Sequence, residues 1–252
     1  MNLVWITALG VGSATMIGAC IGFMFKKLSH KFSDIVLSFA AGVMLSAAVL
    51  GLVLPAVEYG GGGAAGLLVT IVGIFAGALS LNLIDKLVPH LHKLAGADIE
   101  SHNNHNLSRV LLFVTAIAIH NLPEGIAAGV GFGSGSTSQA LMIAGGIALQ
   151  NIPEGMVIIA PMLAAGVSPR RTLLLAMGTG LVEVLGTLIG YLAVSAASAI
   201  LPFALAFAGG TMLYVVSDEM IPETHAHGSE CGATYALLVG FCVMLISDIL
   251  LG

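Results

Sequence analysis

RVLLFVTAIAIHNLPEGIAAGVG, residues 109–131, is an apolar stretch with a polar hexad at its centre. Crossing about 30 Å of hydrocarbon takes about 20 residues of helix, and this stretch is long enough. The hexad is His120-Asn121-Leu122-Pro123-Glu124-Gly125, and it returns in the next apolar stretch as Gln150-Asn151-Ile152-Pro153-Glu154-Gly155. Two successive spans carrying the same polar hexad suggest two helices that face each other across a shared site.

Working outward, the rest of the chain says what surrounds such helices. It is 58% hydrophobic and 8% charged, with a mean hydropathy of +1.04, whereas a soluble domain carries about 25% charged residues. That is too little polar side chain to cover a water-facing surface. The apolar residues come in long runs, as membrane-spanning helices require. Eight spans are expected, at about 3–25, 34–56, 64–88, 109–131, 138–163, 171–195, 200–221 and 233–251, in one all-α domain over 1–252. Residues 3–25 are read as a first span and not as a cleaved leader, because no positive region precedes them while Lys26 and Lys27 follow.

The positive charges test this count. Lys26, Lys27 and Lys31 lie in the first connection, Lys86, Lys93 and Arg109 flank the third, and Arg170 and Arg171 sit at the fifth. With eight spans these connections share one side, and the positive-inside rule makes that side cytoplasmic. Both termini are then expected outside, in a cell membrane, with the prokaryotic inner membrane first in view. Glycines at four-residue spacing, such as Gly73 and Gly77, Gly125 and Gly129, and Gly186 and Gly190, let helix backbones approach closely. Cys20 and Cys242 are expected buried in helices and Cys231 free in a loop, with no disulfide frame. Eight Lys and Arg in total cannot form a phosphate-binding patch, so the expected partners are the bilayer and small ions, not nucleic acid.

Glu124, Glu154 and Glu183 fall inside spans without a Lys or Arg to pair with. Each costs roughly 2.5–3.5 kcal/mol at mid-bilayer even on a lenient scale, so either they are protonated or a cation neutralises them. Spacing favours the cation. Residues i and i+4 share a helix face, so His120 stands one turn from Glu124 and Gln150 one turn from Glu154, with Asn121 and Asn151 flanking. Pro123 and Pro153 cannot donate to the carbonyls of Ile119 and Leu149, which predicts a kink and a freed carbonyl in each helix. Such irregularity at membrane depth is tolerated where it lines a cavity or binds an ion. Imidazole, carboxylates and amides without thiolate suit Zn²⁺, Fe²⁺ or Mn²⁺ better than Cu⁺, and nothing calls for an organic cofactor.

The two hexads, their order and the placement of all eight spans resemble the ZIP (Zrt/Irt-like) metal transporters, in particular the GufA-like branch. The resemblance implies uptake of a divalent metal as substrate, zinc first and cadmium, iron or manganese after it. It further implies a binuclear centre between spans 4 and 5, with spans 1–3 related to 6–8 by inverted symmetry, and a homodimer. Carried over residue by residue, one metal sees His120, Glu124, Gln150 and Glu154; the second sees Asn121, Glu124, Asn151, Glu154 and Glu183. Some members have an acidic residue where this chain has Asn151, which lowers the negative charge at the second position. Asp34 and Met44 resemble positions on the metal path.

Two clusters keep two readings each. Asp218, Glu219, Glu223, His225 and His227 crowd the end of span 7, and His90, His92, His102 and His105 lie in or beside the expected cytoplasmic loop at about 89–108. They serve as exit or sensing ligands or as ordinary polar loop, and Glu58 likewise attracts cations or is a solvated end-charge. Two rival functions stand beside this one: an intramembrane metallohydrolase, which lacks an HExxH signature, and a proton-coupled carrier of an organic solute using the glutamates as relays.

Overall fold

The computed structural model describes residues 2–24, 29–94, 105–164 and 166–251. Eight long helices follow one another: α1 (Asn2–Met24), α2 (His30–Tyr59), α3 (Gly63–Leu94), α4 (His105–Gly131), α5 (Thr137–Ala164), α6 (Pro169–Ala196), α7 (Ser198–Thr224) and α8 (Glu230–Leu251). No strand occurs among the described residues. Among the described residues, seven of the helices contain a stretch long and apolar enough to cross a membrane; α4, which bears the first hexad, is 27 residues long.

The breaks between helices follow local chemistry. Gly61, Gly62 and Gly63 all have positive φ, at 90°, 65° and 57°, a turn between α2 and α3 that a side-chain-bearing residue would strain. Ser29 caps α2 by accepting from the Phe32 N–H at 3.2 Å. Pro169 opens α6 from its first turn, where its missing N–H costs nothing.

Three boundaries differ from expectation. Helix α3 continues to Leu94 and α4 already starts at His105, so the ends of the polar stretch 89–108 are helical. A helix satisfies its own backbone hydrogen bonds, so it need not stop where the apolar run does. Helix α7 continues past residue 221 to Thr224 through a π-helical turn at Val216–Met220, and α2 has its own π segment at Ala47–Val53. Neither π segment is visible in the hydrophobic pattern. Helices α4 and α5 run on through Pro123 and Pro153.

Packing depends on paired close approaches. A methyl at Gly18 of α1 would strike the Ile152 carbonyl of α5, and one at Gly155 would strike the Thr15 carbonyl. The α4–α6 contact repeats this arrangement: Gly186 lies on the Leu122 carbonyl and Gly125 on that of Glu183. Gly12 and Gly180 meet each other's carbonyls where α1 crosses α6. Between α2 and α8, Gly42 abuts the Leu237 carbonyl and Gly240 that of Phe39; between α7 and α3, Gly210 abuts the Ile74 carbonyl and Gly77 that of Phe207. The expectation of a tight, glycine-packed bundle is met at Gly77, Gly125 and Gly186 among others.

Polarity is distributed as a membrane demands. Leu68, Phe75, Leu79, Leu181, Leu192 and Ile249 point outward and are exposed, while Asn121, Gln150, Asn151 and Glu183 are fully enclosed. Cys20 and Cys242 correct the expectation of burial: both are exposed on outward faces. A cysteine is a small apolar residue, and a lipid-facing surface accepts it as readily as the core does. Cys231 is free and exposed but lies in the first turn of α8, not in a loop.

Candidate metal centre

Four helices place the central polar groups. Helix α4 supplies His120, Asn121 and Glu124, α5 supplies Gln150, Asn151 and Glu154, α6 supplies Glu183, and α1 adds Thr15. Their exposures, 8% for His120, 7% for Glu154 and 1% or less for the others, put them beyond the reach of lipid.

Hydrogen bonds tie these groups across helices. Gln150 Nε2 donates to Glu124 Oε1 at 2.8 Å, and Asn151 Nδ2 donates to Glu183 Oε1 at 2.7 Å. Thr15 Oγ1 donates to the same Glu183 oxygen at 3.2 Å. Each amide thus spends its N–H₂ on a carboxylate and keeps its oxygen. Most of the atoms left over are acceptors: Glu124 Oε2, Glu183 Oε2, Gln150 Oε1, Asn151 Oδ1 and Asn121 Oδ1 are all buried without a donor. Asn121 Nδ2 is the one unpartnered donor beside them. Buried polar atoms are nearly always satisfied, so a cluster of bare oxygens fits a cation that prefers oxygen and nitrogen ligands. Among the described residues, no three His, Cys, Asp or Glu side chains stand together in ligating geometry. The amide oxygens are therefore integral to what this donor set can hold.

His120 reaches to α7. Its Nε2 lies 2.8 Å from Glu219 Oε1 on α7, and the pair lines a cavity of about 450 Å³ together with Glu154, Asp218 and Glu223. Leu37, Ile117 and Val157 form its apolar wall. The π turn of α7 carries Asp218 and Glu219, in keeping with the frequent placement of π-bulges at functional sites.

The other expected residues divide. Asp34 is 4% exposed and accepts from His227 Nδ1 at 3.1 Å. His30 stacks on His227 with ring centroids 4.9 Å apart, a neighbour that sequence reasoning missed. Met44 is 1% exposed and packs in the main apolar core. His225 folds back onto its own helix end, with Nδ1 donating to the Ile221 carbonyl at 2.8 Å, and does not line the cavity. Glu58 is exposed. His102 lies outside the described residues, as do the side chains of His90, His92 and His105.

Thr15 is the central residue that the sequence reading missed, although a signal exists. Helix α1 reads Gly10-x-Gly12-x-x-Thr15-x-x-Gly18-x-x-x-Gly22, and α6 reads Gly178-x-Gly180-x-x-Glu183-x-x-Gly186-x-x-x-Gly190. A similar match joins Phe39-Ala40-Ala41-Gly42-Val43-Met44 of α2 to Phe207-Ala208-Gly209-Gly210-Thr211-Met212 of α7.

Apolar helices around a polar core sealed from lipid define a multi-pass membrane protein. Residues 95–248 match the family described as ZIP Zinc transporter, and the chain belongs to that family, whose members are transporters and not enzymes. It is 41% identical over 251 residues to the zinc transporter GufA of Myxococcus xanthus, covering 98% of both chains. It is 37% identical to the zinc transporter ZIPB of Bordetella bronchiseptica, covering 95% of this chain and 78% of that one. To the human zinc transporter ZIP11 it is 33% identical, covering 94% of each. The metallohydrolase reading falls with this assignment.

Proposed function

We propose that the chain takes up divalent transition metal ions, zinc foremost, into the cytoplasm through the centre between α4 and α5. The observation that carries this reading is the set of buried, donorless oxygens on Glu124, Gln150, Asn151 and Glu183. One ion engages His120, Glu124, Gln150 and Glu154. A second engages Asn121, Glu124, Asn151, Glu154 and Glu183, with the two hexad glutamates bridging. Cadmium, iron and manganese fit the same donors.

The cavity supplies the way out. His120 exchanges the metal for Glu219, and the released ion passes Asp218 and Glu223 toward the end where Lys31, Arg170 and Arg171 cluster. That end is cytoplasmic by the charge rule, so both termini lie outside the cell membrane. Asp34 with His227 stands at the same end and serves as a later stage of the path, as do the histidines between α3 and α4. The carrier works by alternating access of helix groups. Spans 1–3 and 6–8 form inverted repeats around α4 and α5, a reading supported by the matched glycine contacts and the shared Gly pattern of α1 and α6. The protein works as a homodimer, an expectation that rests on the resemblance alone.

The test is flux into proteoliposomes of Zn²⁺, Cd²⁺, Fe²⁺ and Mn²⁺ by wild type and Glu154→Ala. Zinc should enter fastest, and the variant should insert normally yet carry none. Because metal displaces protons from its ligands, zinc uptake should fall as the outer pH is lowered. Wild-type flux in Glu154→Ala removes the proposed centre, and flux of an organic solute without metal binding would favour the rival carrier.

A further inference from the structure

We propose that Thr15 of α1 is a positioning residue of the metal centre, saturating one oxygen of Glu183 so that the other is presented to the ion. The inference rests on the reading above, in which Glu183 is a ligand.

Several observations meet at this side chain. Thr70, Thr172, Thr179, Thr187 and Thr211 all donate their hydroxyls to carbonyls three or four residues back in the chain, the usual resource of a threonine in a helix. Thr15, 1% exposed, sends its hydroxyl to another helix and onto a carboxylate. The acceptor, Glu183 Oε1, already takes the Asn151 N–H, so two donors from α1 and α5 converge on one oxygen. Oε2 is left bare. A carboxylate held in this way can offer a metal one oxygen in one orientation; without Thr15 it turns more freely and loses that preference.

The backbone makes the placement firm. The Thr15 carbonyl lies against Gly155, next to Glu154, and Gly18 lies against the Ile152 carbonyl. Thr15 is thereby locked to the second hexad itself. It also occupies on α1 the place that Glu183 occupies on α6, since the carbonyl of each lies on the closing glycine of a hexad, Gly155 and Gly125. One of these matched positions contributes a carboxylate and the other a neutral donor that grips it. A second carboxylate at 15 would set two like charges side by side in a dry core.

The experiment is calorimetric titration of purified full-length protein with Zn²⁺ and Cd²⁺, for wild type, Thr15→Val, Thr15→Ser and Glu183→Gln. Glu183→Gln should weaken or remove one binding component, which identifies the component that depends on Glu183. Thr15→Val, nearly isosteric and without the donor, should weaken that same component by about 10–100-fold, the usual cost of losing an outer-shell partner. Thr15→Ser should restore it. If Thr15→Val is not monodisperse, Thr15→Ala takes its place. Wild-type affinity in the variant lacking the donor overturns the proposal, as does a Thr15→Ser protein as weak as Thr15→Val, which would make the role one of packing. Unchanged binding in Glu183→Gln would instead sink the assignment of Glu183 as a ligand, a separate failure.

Discussion

Glu124 and Glu183 at the centre of the bundle are 1% and 0% exposed, whereas Asp218 and Glu223 at the α7 end stand exposed on a cavity wall. All four are carboxylates on membrane helices. The central pair is held by amide and hydroxyl donors from neighbouring helices, each with one oxygen left over. The outer pair is open to the cavity instead. An acid in water needs no partner, so its presence says little; an acid sealed among apolar helices persists only where something compensates it. The difference supports the proposal that metal is held at the centre and handed on at the α7 end.

The largest effect that separates the two regions is expected at Glu124. In Glu124→Gln the proposed bridging carboxylate becomes a neutral amide, and zinc affinity should fall by more than the roughly 100-fold that loss of an outer-shell partner can cost. Equilibrium dialysis with zinc reads this directly, and near-normal affinity would show that burial of the acid has another cause. A smaller effect is expected at Glu219, the partner of His120. Glu219→Gln should keep zinc binding while lowering turnover several-fold in liposomes, because on the proposed path the histidine loses the acid that would draw it off the metal. Loss of binding there would merge cavity and centre into one site. The smallest effect belongs to His225, which holds the end of α7 through the Ile221 carbonyl. His225→Ala should cost about 0.5–1.5 kcal/mol, the worth of one hydrogen bond, seen as a lowered melting temperature with flux unchanged. A fall in flux at unchanged stability would instead favour a place for His225 on the metal path.

Residues close together in the chain told most of what could be read from it. The apolar runs needed to cross a bilayer, the alternation of Lys and Arg between connections, and the hexads of α4 and α5 are all local patterns. A helix places i and i+4 on one face wherever it lies, so the grouping of His120 with Glu124 and of Gln150 with Glu154 needed no knowledge of packing. The cost of burying a charge then marked Glu183 as well.

What stayed hidden depends on partners far apart in sequence. Thr15 meets Glu183 across 168 positions, His120 meets Glu219 across 99, and Asp34 meets His227 across 193. Which hydroxyl reaches which carboxylate is decided within a few tenths of an ångström, by how closely glycines such as Gly18, Gly155 and Gly186 let backbones meet. No local pattern encodes that distance. Nor does hydrophobicity distinguish a face turned to lipid from one turned to the core, which is why the sequence alone points Cys20 and Cys242 inward while the structure exposes both. Local periodicity thus specified the helices and the kind of chemistry they hold; backbone contact between helices chose the partners, because hydrogen bonds and metal ligation are short-ranged and begin only once the helices have docked.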